Sequence, residues 1–122
     1  PFGYGLSYSS FKYSDLQVKD GAGEVTVSFL LKNTGKRNGD EVAQVYVRIP
    51  ETGGIVPLKE LKGFRRVPLK SGESRRVEIK LSKEQLRYWD VEKGQFVVPK
   101  GAFDIMVGAS SKDIRLQTVI DL

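Results

Sequence analysis

Apolar and polar residues alternate along most of the 122-residue chain. One run begins at Glu24, where every second residue is apolar and the residues between them include Thr26, Ser28 and Lys32. Similar runs follow later in the chain. The apolar positions of these runs are Val25, Val27, Phe29, Leu31, Ala43, Val45, Val47, Ile49, Val77, Ile79, Leu81, Phe103, Ile105 and Val107. This period of two predicts half-buried β-strands, because successive side chains of a strand point to opposite faces.

Turn residues separate these predicted strands. Residues 33–35 (NTG) and 38–40 (NGD) indicate a turn, since Gly and Asn tolerate positive φ. Residues 59–69 read as a strand that is interrupted at Gly63. A bulge at Gly63 would place Leu61 and Phe64 on the same side of the strand.

The remaining elements are short. Ser82 is followed by Gln85 three residues later, which is a helix-capping signal, and we expect a single helical turn there. Residues 93–94 (KG) separate two short apolar segments and predict a hairpin, and residues 114–120 suggest a final edge strand. About seven short antiparallel strands without intervening helices predict an all-β fold, a β-sandwich.

Length and composition agree with one globular domain. A chain of 122 residues can bury a core of its own, and no apolar run approaches the roughly 20 residues of a membrane helix, so we expect no membrane partner. The absence of Cys and His excludes disulfides, thiol nucleophiles, Ser-His-Asp catalysis and His-based zinc sites.

Positive charge is concentrated in one third of the chain. The net charge is +5, and residues 59–87 alone hold ten basic and four acidic side chains. These basic residues alternate with apolar ones, which is typical of the solvated face of strands. Binding of an anionic polymer is an alternative, but no nucleic-acid-binding motif supports it and we expect no nucleic-acid partner.

The acidic residues do not form a convincing catalytic pair. Asp40 and Glu41 are neighbours on a predicted strand and point to opposite faces. Asp90 and Glu92 lie beside a predicted hairpin and are interpreted as solvated turn residues. No calcium-loop motif is present. We therefore expect no catalytic, metal-binding or cofactor-binding residue in this chain.

Aromatic residues raise the question of sugar binding. Tyr46 and Tyr88 are candidates for an exposed platform on which a sugar ring would stack. Trp89 is interpreted instead as a residue that plugs the core of the sandwich.

The first residues do not follow the strand period. Residues 1–8 combine two glycines with four large apolar side chains, Phe2, Tyr4, Leu6 and Tyr8. Exposed apolar clusters normally mark docking sites, so we predict an interdomain tether over residues 1–10 and a sandwich domain over residues 11–122. The alternative is that this segment folds over the domain's own core. Since the chain begins at Pro1, we expect it to be an excised or processed piece.

Several motifs resemble a known family. Residues 1–8 (PFGYGLSY) are similar to the segment that leaves the second catalytic domain of glycoside hydrolase family 3 enzymes. Motifs similar to those of the C-terminal fibronectin type III-like domain of β-glucosidases follow in the same order. They are residues 33–35 (NTG), 39–42 (GDEV), 44–46 (QVY), 59–64 (KELKGF), 72–73 (GE), 107–108 (VG) and 110–111 (SS), with Phe11 and Leu69.

This resemblance implies an immunoglobulin- or fibronectin type III-like sandwich within an enzyme that hydrolyses β-glycosidic bonds with retention. The family's aspartate nucleophile and glutamate acid/base would lie N-terminal to Pro1, so no catalytic residue is carried onto this chain. The resemblance implies an accessory domain that stabilises the catalytic domains of the same polypeptide by packing against them. The alternative is a carbohydrate-binding module that holds a β-glucan surface. A periplasmic or secreted location is also implied.

Overall fold

The described part of the chain forms nine strands and one short 3₁₀ helix. The structure, a computed structural model, describes residues 10–51 and 53–122. The elements in chain order are β1 (Phe11–Asp20), β2 (Glu24–Asn33), β3 (Gly39–Arg48), β4 (Glu60–Leu69), β5 (Ser74–Ser82), the 3₁₀ helix (Lys83–Leu86), β6 (Tyr88–Asp90), β7 (Gln95–Val97), β8 (Ala102–Ser110) and β9 (Asp113–Asp121).

Seven of these strands build two antiparallel sheets. The three-stranded sheet has the order β1-β2-β5, and the four-stranded sheet has the order β4-β3-β8-β9. β6 and β7 form a separate hairpin outside both sheets. The prediction of an all-β sandwich with about seven antiparallel strands is confirmed.

The core lies between the two sheets and includes most of the apolar positions that the alternation predicted, together with Tyr13, Val67, Leu69 and Leu86. Phe29 and Leu31 of β2 and Phe103 of β8 are fully buried, and Ile49 is partly buried against them. Such burial of large side chains from both sheets accounts for most of the favourable free energy of folding.

β1 was not predicted, because a bulge shifts the phase of its alternation. Phe11 and Tyr13 face the core before the bulge, and Leu16 and Val18 pack against the core after it. The pairing with β2 is irregular between Ser14 and Gln17, where Asp15 adopts a φ of 52°. The inward residues therefore change from odd to even positions, and no continuous period remains to be read.

β4 contains the predicted bulge. Gly63 pairs with Val45 and faces the core, where a Cβ atom would lie 2.9 Å from side-chain atoms of both Ile79 and Leu81. On either side of the bulge, Leu61 pairs with Tyr46 and Phe64 pairs with Gln44. Leu61 and Phe64 therefore share one face, as predicted, and this face points away from the core.

The 3₁₀ helix and the hairpin also match their sequence signals. A capping box holds the start of the helix, with the Ser82 N–H donating to Gln85 Oε1 at 2.8 Å. Gly94, with a φ of 62°, supplies the left-handed residue that closes the hairpin between β6 and β7.

The two ends of the sandwich differ. At the N-terminal end, Ser10 adjoins the β2–β3 turn, where the Thr34 N–H donates to the Ser10 carbonyl at 2.8 Å. At the opposite end, the hairpin end, lie the 3₁₀ helix, the β6–β7 hairpin and the loop that joins β3 to β4. Strands of about ten residues separate these ends by roughly 30 Å.

A buried asparagine organises the N-terminal end. Asn33 Nδ2 donates to the carbonyl oxygens of Arg37 at 2.9 Å and Leu69 at 3.1 Å, and Asn33 Oδ1 accepts from the Gly35 N–H at 2.9 Å. Its backbone bonds to Gly72 and Glu73 join the β2–β3 turn to the β4–β5 turn.

Candidate functional site

The candidate acidic residues have structural partners. Asp40 accepts a hydrogen bond from Arg66 Nε at 2.7 Å, and Glu41 accepts one from the Tyr13 hydroxyl at 2.9 Å. Asp90 caps the hairpin turn by accepting from the backbone N–H groups of residues 92 and 93. No cluster of three or more potential metal ligands occurs within residues 10–51 and 53–122. Asp40, Glu41 and Asp90 thus each take part in a hydrogen bond that joins or caps elements of the fold.

The largest pKa shift among the described residues is that of Tyr13, which lies in a contact between strands. Burial and the adjacent Glu41 carboxylate raise the pKa of Tyr13 well above its ordinary value of 10.0. Hydrogen bonds from Arg115 lower the pKa of Asp113, and the Arg115 guanidinium lies 5.4 Å from the Tyr13 ring centroid. These contacts join β1 to β3 and β9 across one side of the sandwich, so we assign them a structural role.

The basic segment is largely neutralised by neighbouring carboxylates. Its arginines on β4 and β5 are exposed to solvent, and Arg66 and Arg76 lie on the outward faces of their strands. The ion pairs are Lys62–Glu60, Arg66–Asp40, Arg75–Glu73, Arg76–Asp15, Lys80–Glu24 and Lys83–Asp20. Exposed pairs of this kind contribute little stability, but they remove most of the free charge that an anionic polymer would need.

The outward side of the four-stranded sheet exposes apolar side chains. We call this surface the outer face, and its exposed apolar members are Val42, Leu61, Phe64 and Val119. Phe64 is 67% exposed and Val42 is 40% exposed. The outward side of the three-stranded sheet is mostly polar and carries Thr26, Ser28, Arg76, Glu78 and Lys80, with the half-buried Leu30 among them. The outer face therefore differs from the usual solvated side of an antiparallel sheet.

The prediction that Tyr46 belongs to an exposed platform is wrong. Tyr46 points to the outer face but is only 9% exposed, and it pairs with Met106, which is 4% exposed. Both occupy the central strands, where side chains of the flanking strands, including Leu61 and Gln117, cover them. The Tyr46 hydroxyl donates a hydrogen bond to Gln44 Oε1. Tyr88, the other candidate, is half-buried.

The prediction that Trp89 plugs the core is also wrong. Trp89 is 52% exposed, because the hairpin of three-residue strands lies outside both sheets and no second layer covers it. Phe96, opposite Trp89 in the hairpin, is 53% exposed. The two rings meet edge to face with centroids 5.1 Å apart, and the Arg87 guanidinium lies 4.4 Å from the Phe96 centroid.

A groove of about 610 Å³ adjoins this aromatic pair. The residues that line it are Leu61, Lys62, Ser82, Glu84, Gln85, Arg87 and Phe96. Gln85 is fully engaged, since its Nε2 donates to the Lys62 carbonyl at 3.0 Å and its Oε1 accepts from Ser82. In the described part of the chain, no ion pair forms between Glu84 and Arg87, although both border the groove.

The predicted docking residues Phe2, Tyr4, Leu6 and Tyr8 lie outside the described residues. The described part of the chain contains no helix that is long and apolar enough to cross a membrane.

Comparison with known proteins agrees with this architecture. Residues 41–111 match the family model of the fibronectin type III-like domain. The chain is similar to a probable β-glucosidase L of Aspergillus fumigatus, with 40% identity over 93% of this chain and 18% of that protein.

Solved structures show the same similarity in three dimensions. The β-D-glucoside glucohydrolase of Trichoderma reesei superposes with a TM-score of 0.87 at 37% identity, over 98% of this chain and 20% of that one. The family 3 β-glucosidase of Bifidobacterium adolescentis gives a TM-score of 0.86 at 37% identity, over 100% of this chain and 18% of that one. The chain thus spans about a fifth of the length of these relatives. The chain belongs to the fibronectin type III-like domain family and is a domain of the kind that β-glucosidases of glycoside hydrolase family 3 contain.

Proposed function

We propose that this chain is a non-catalytic accessory domain that stabilises the catalytic domains of the same polypeptide by packing against them. The complete enzyme would hydrolyse β-glycosidic bonds with retention, using catalytic residues outside this chain. The observation that carries the proposal is the outer face, where Val42, Leu61, Phe64 and Val119 are exposed beside the ion pairs Arg66–Asp40 and Arg48–Asp104 and do not belong to the domain's core. The similarity to proteins about five times longer supports a partner within the same polypeptide.

The outer face has enough apolar surface to contribute to an interdomain contact. Full burial of a Phe or Val side chain is worth about 1.5–3 kcal/mol. Scaled by exposures of 67% and 40%, covering Phe64 and Val42 would contribute roughly 2.5 kcal/mol together. Interfaces between domains of one chain are commonly of moderate size, so two such side chains would form a substantial part of one.

The second contact in this proposal is the tether formed by residues 1–10. β1 begins at Phe11, which supports a boundary between the tether and a domain of residues 11–122. Phe2, Tyr4, Leu6 and Tyr8 would dock on the catalytic region. Ser10, held against the β2–β3 turn, would fix the direction in which the tether leaves the sandwich.

The outer face can be tested in the complete enzyme by combining Phe64→Thr with Val42→Thr. Threonine retains strand propensity, so the substitution chiefly removes apolar surface. We expect the apparent melting temperature of the complete enzyme to fall, with faster loss of aryl β-glucosidase activity on heating. The isolated chain should lose less than about 1 kcal/mol, because both side chains are exposed in it. Lys80→Thr, on the polar side of the other sheet, is the matched control.

Equal destabilisation of the complete enzyme and the isolated chain would assign the outer face to the domain's own stability and contradict the proposal. The tether is tested separately by Phe2→Ala combined with Tyr4→Ala. This variant should also lower the melting temperature of the complete enzyme and leave that of the isolated chain nearly unchanged. If the isolated chain unfolds instead, residues 1–10 belong to its core.

A further inference from the structure

We propose that the hairpin end of the sandwich carries a binding subsite for β-linked glucose units, formed by Trp89, Phe96 and the adjoining groove. This inference depends on the proposed function only for the identity of the sugar, since the similar proteins are named as β-glucosidases. The site itself follows from the aromatic and charged side chains that the structure brings together.

The aromatic pair presents surfaces that suit a sugar ring. The equatorial hydroxyls of β-linked glucose leave both ring faces covered by C–H groups, and these faces stack on aromatic rings. Trp89 and Phe96 are each about half exposed, so ring surface is accessible on both. Their edge-to-face contact and the Arg87 guanidinium at 4.4 Å hold the Phe96 ring in place.

The groove adds hydrogen-bonding groups beside the rings. The Glu84 carboxylate accepts hydrogen bonds, and the Arg87 guanidinium donates them. Both residues line the groove, and within the described part of the chain no ion pair joins them, so hydrogen-bonding capacity of the Glu84 carboxylate and of the Arg87 guanidinium, which lies over the Phe96 ring, is left for a ligand. Hydroxyl groups both donate and accept, and a sugar would therefore satisfy both side chains. The groove, of about 610 Å³, is open to solvent, so it would contact one side of a sugar chain rather than enclose it.

The site is held in shape by the surrounding backbone. Gln85 connects the 3₁₀ helix to β4 through the Lys62 carbonyl, and Asp90 caps the turn of the hairpin. Preorganisation reduces the entropy lost on binding. The hairpin end lies roughly 30 Å from Ser10, where the proposed tether joins the sandwich, so a polymer could occupy this end while the tether is docked.

The single tryptophan of the chain provides a direct test, because Trp89 is itself in the proposed site. Cellotetraose and laminaritetraose are titrated into the isolated chain while the Trp89 emission is recorded. We expect a saturable change with a dissociation constant in the millimolar range for at least one of the two. Maltotetraose, whose α-linkages give the same ring faces in a differently shaped chain, should produce a weaker change.

Variants then locate the site by affinity electrophoresis in gels that contain soluble barley β-glucan. Phe96→Ala and the isosteric Glu84→Gln should each weaken retardation by about fivefold or more, and far-ultraviolet circular dichroism should show that both variants are folded. Phe64→Ala removes a somewhat more exposed phenylalanine from the outer face and should bind like the unmodified chain.

Three results would overturn the subsite. The first is the absence of saturable emission change and of retardation. The second is loss of retardation in Phe64→Ala with no effect of Phe96→Ala. The third is a fall of several degrees in the melting temperature of the complete enzyme, but not of the isolated chain, on Trp89→Ala. That outcome would mean that the hairpin contacts the catalytic region. None of these results depends on the outer-face melting test, so the two proposals can fail separately.

Discussion

Replacing Asn33 by alanine should destabilise the domain more than any other single polar truncation proposed for it. Asn33 is fully buried at the N-terminal end of the sandwich. Its side chain makes three hydrogen bonds to the backbone, two as donor and one as acceptor. They tie together the β2–β3 turn and the end of β4.

The size of the effect can be worked out from these bonds. Each intramolecular hydrogen bond contributes about 0.5–1.5 kcal/mol, and a buried group left without a partner costs about 1–3 kcal/mol. The Leu69 carbonyl accepts in a buried position, so it would be left unsatisfied. We therefore expect Asn33→Ala to lower the free energy of unfolding by about 2–4 kcal/mol. A typical domain has only about 5–15 kcal/mol in total.

Urea denaturation of the isolated chain, followed by circular dichroism, measures this difference. Asn38→Ala is the matched control, since the same truncation at an exposed site removes one hydrogen bond, to the Ser71 N–H, and should cost less than about 1 kcal/mol. Asn33→Asp keeps the size of the side chain but places a carboxylate against two carbonyl oxygens, and it should be at least as destabilising as Asn33→Ala. A loss of less than about 1 kcal/mol in Asn33→Ala, or a loss equal to that of Asn38→Ala, would refute the reasoning.

Two further substitutions test the contact of Tyr13 between strands and the packing of Gly63 against the core. The pKa of Tyr13 is raised in the folded chain, so the folded state keeps a proton that the unfolded chain loses above pH 10. The free energy of unfolding therefore falls as the pH rises beyond 10. In urea melts between pH 8 and 11, Tyr13→Phe should make this fall shallower. If the unfolding free energy of Tyr13→Phe falls with pH as steeply as that of the unmodified chain, Tyr13 is not the group responsible. Gly63→Ala should cost about 1–3 kcal/mol, since the new methyl group would meet Ile79 and Leu81 in a filled core. Combining it with Leu81→Ala should give less than the sum of the two losses, and strict additivity would show that the clash is absent.

The sequence predicts those strands whose alternation is unbroken. In β2, β5 and β8 every second residue is buried, and the period is sufficient to find both the element and its inward side. β1 could not be predicted in this way, because odd-numbered residues face the core before its bulge and even-numbered residues face it afterwards. A bulge leaves no mark on composition, and Asp15, its left-handed residue, is not a glycine.

The candidate surfaces are less predictable, because exposure depends on neighbours that are distant in the chain. Tyr46 is buried by its position between other strands, whereas Trp89 is exposed because its hairpin has no covering layer. The sequence had predicted the opposite, an exposed Tyr46 and a Trp89 within the core. The bulge at Gly63 predicted that Leu61 and Phe64 share a side, but only pairing with β3 shows that this side faces outward.

The contrast between the two sheets supports a covered outer face. Both sheets pack on the same core, yet among their strands the exposed large apolar residues, Val42, Leu61, Phe64 and Val119, all lie on the outward side of the four-stranded sheet, three of them on the edge strands β4 and β9. Exposed apolar edge strands favour association with other chains, and proteins usually blunt them with charge. The three-stranded sheet follows that rule, since its edge strand β5 carries Arg76, Glu78 and Lys80 outward. Because Phe64 and Val119 lie outside the core, this difference between the two outward sides supports the proposal that a partner covers the four-stranded sheet.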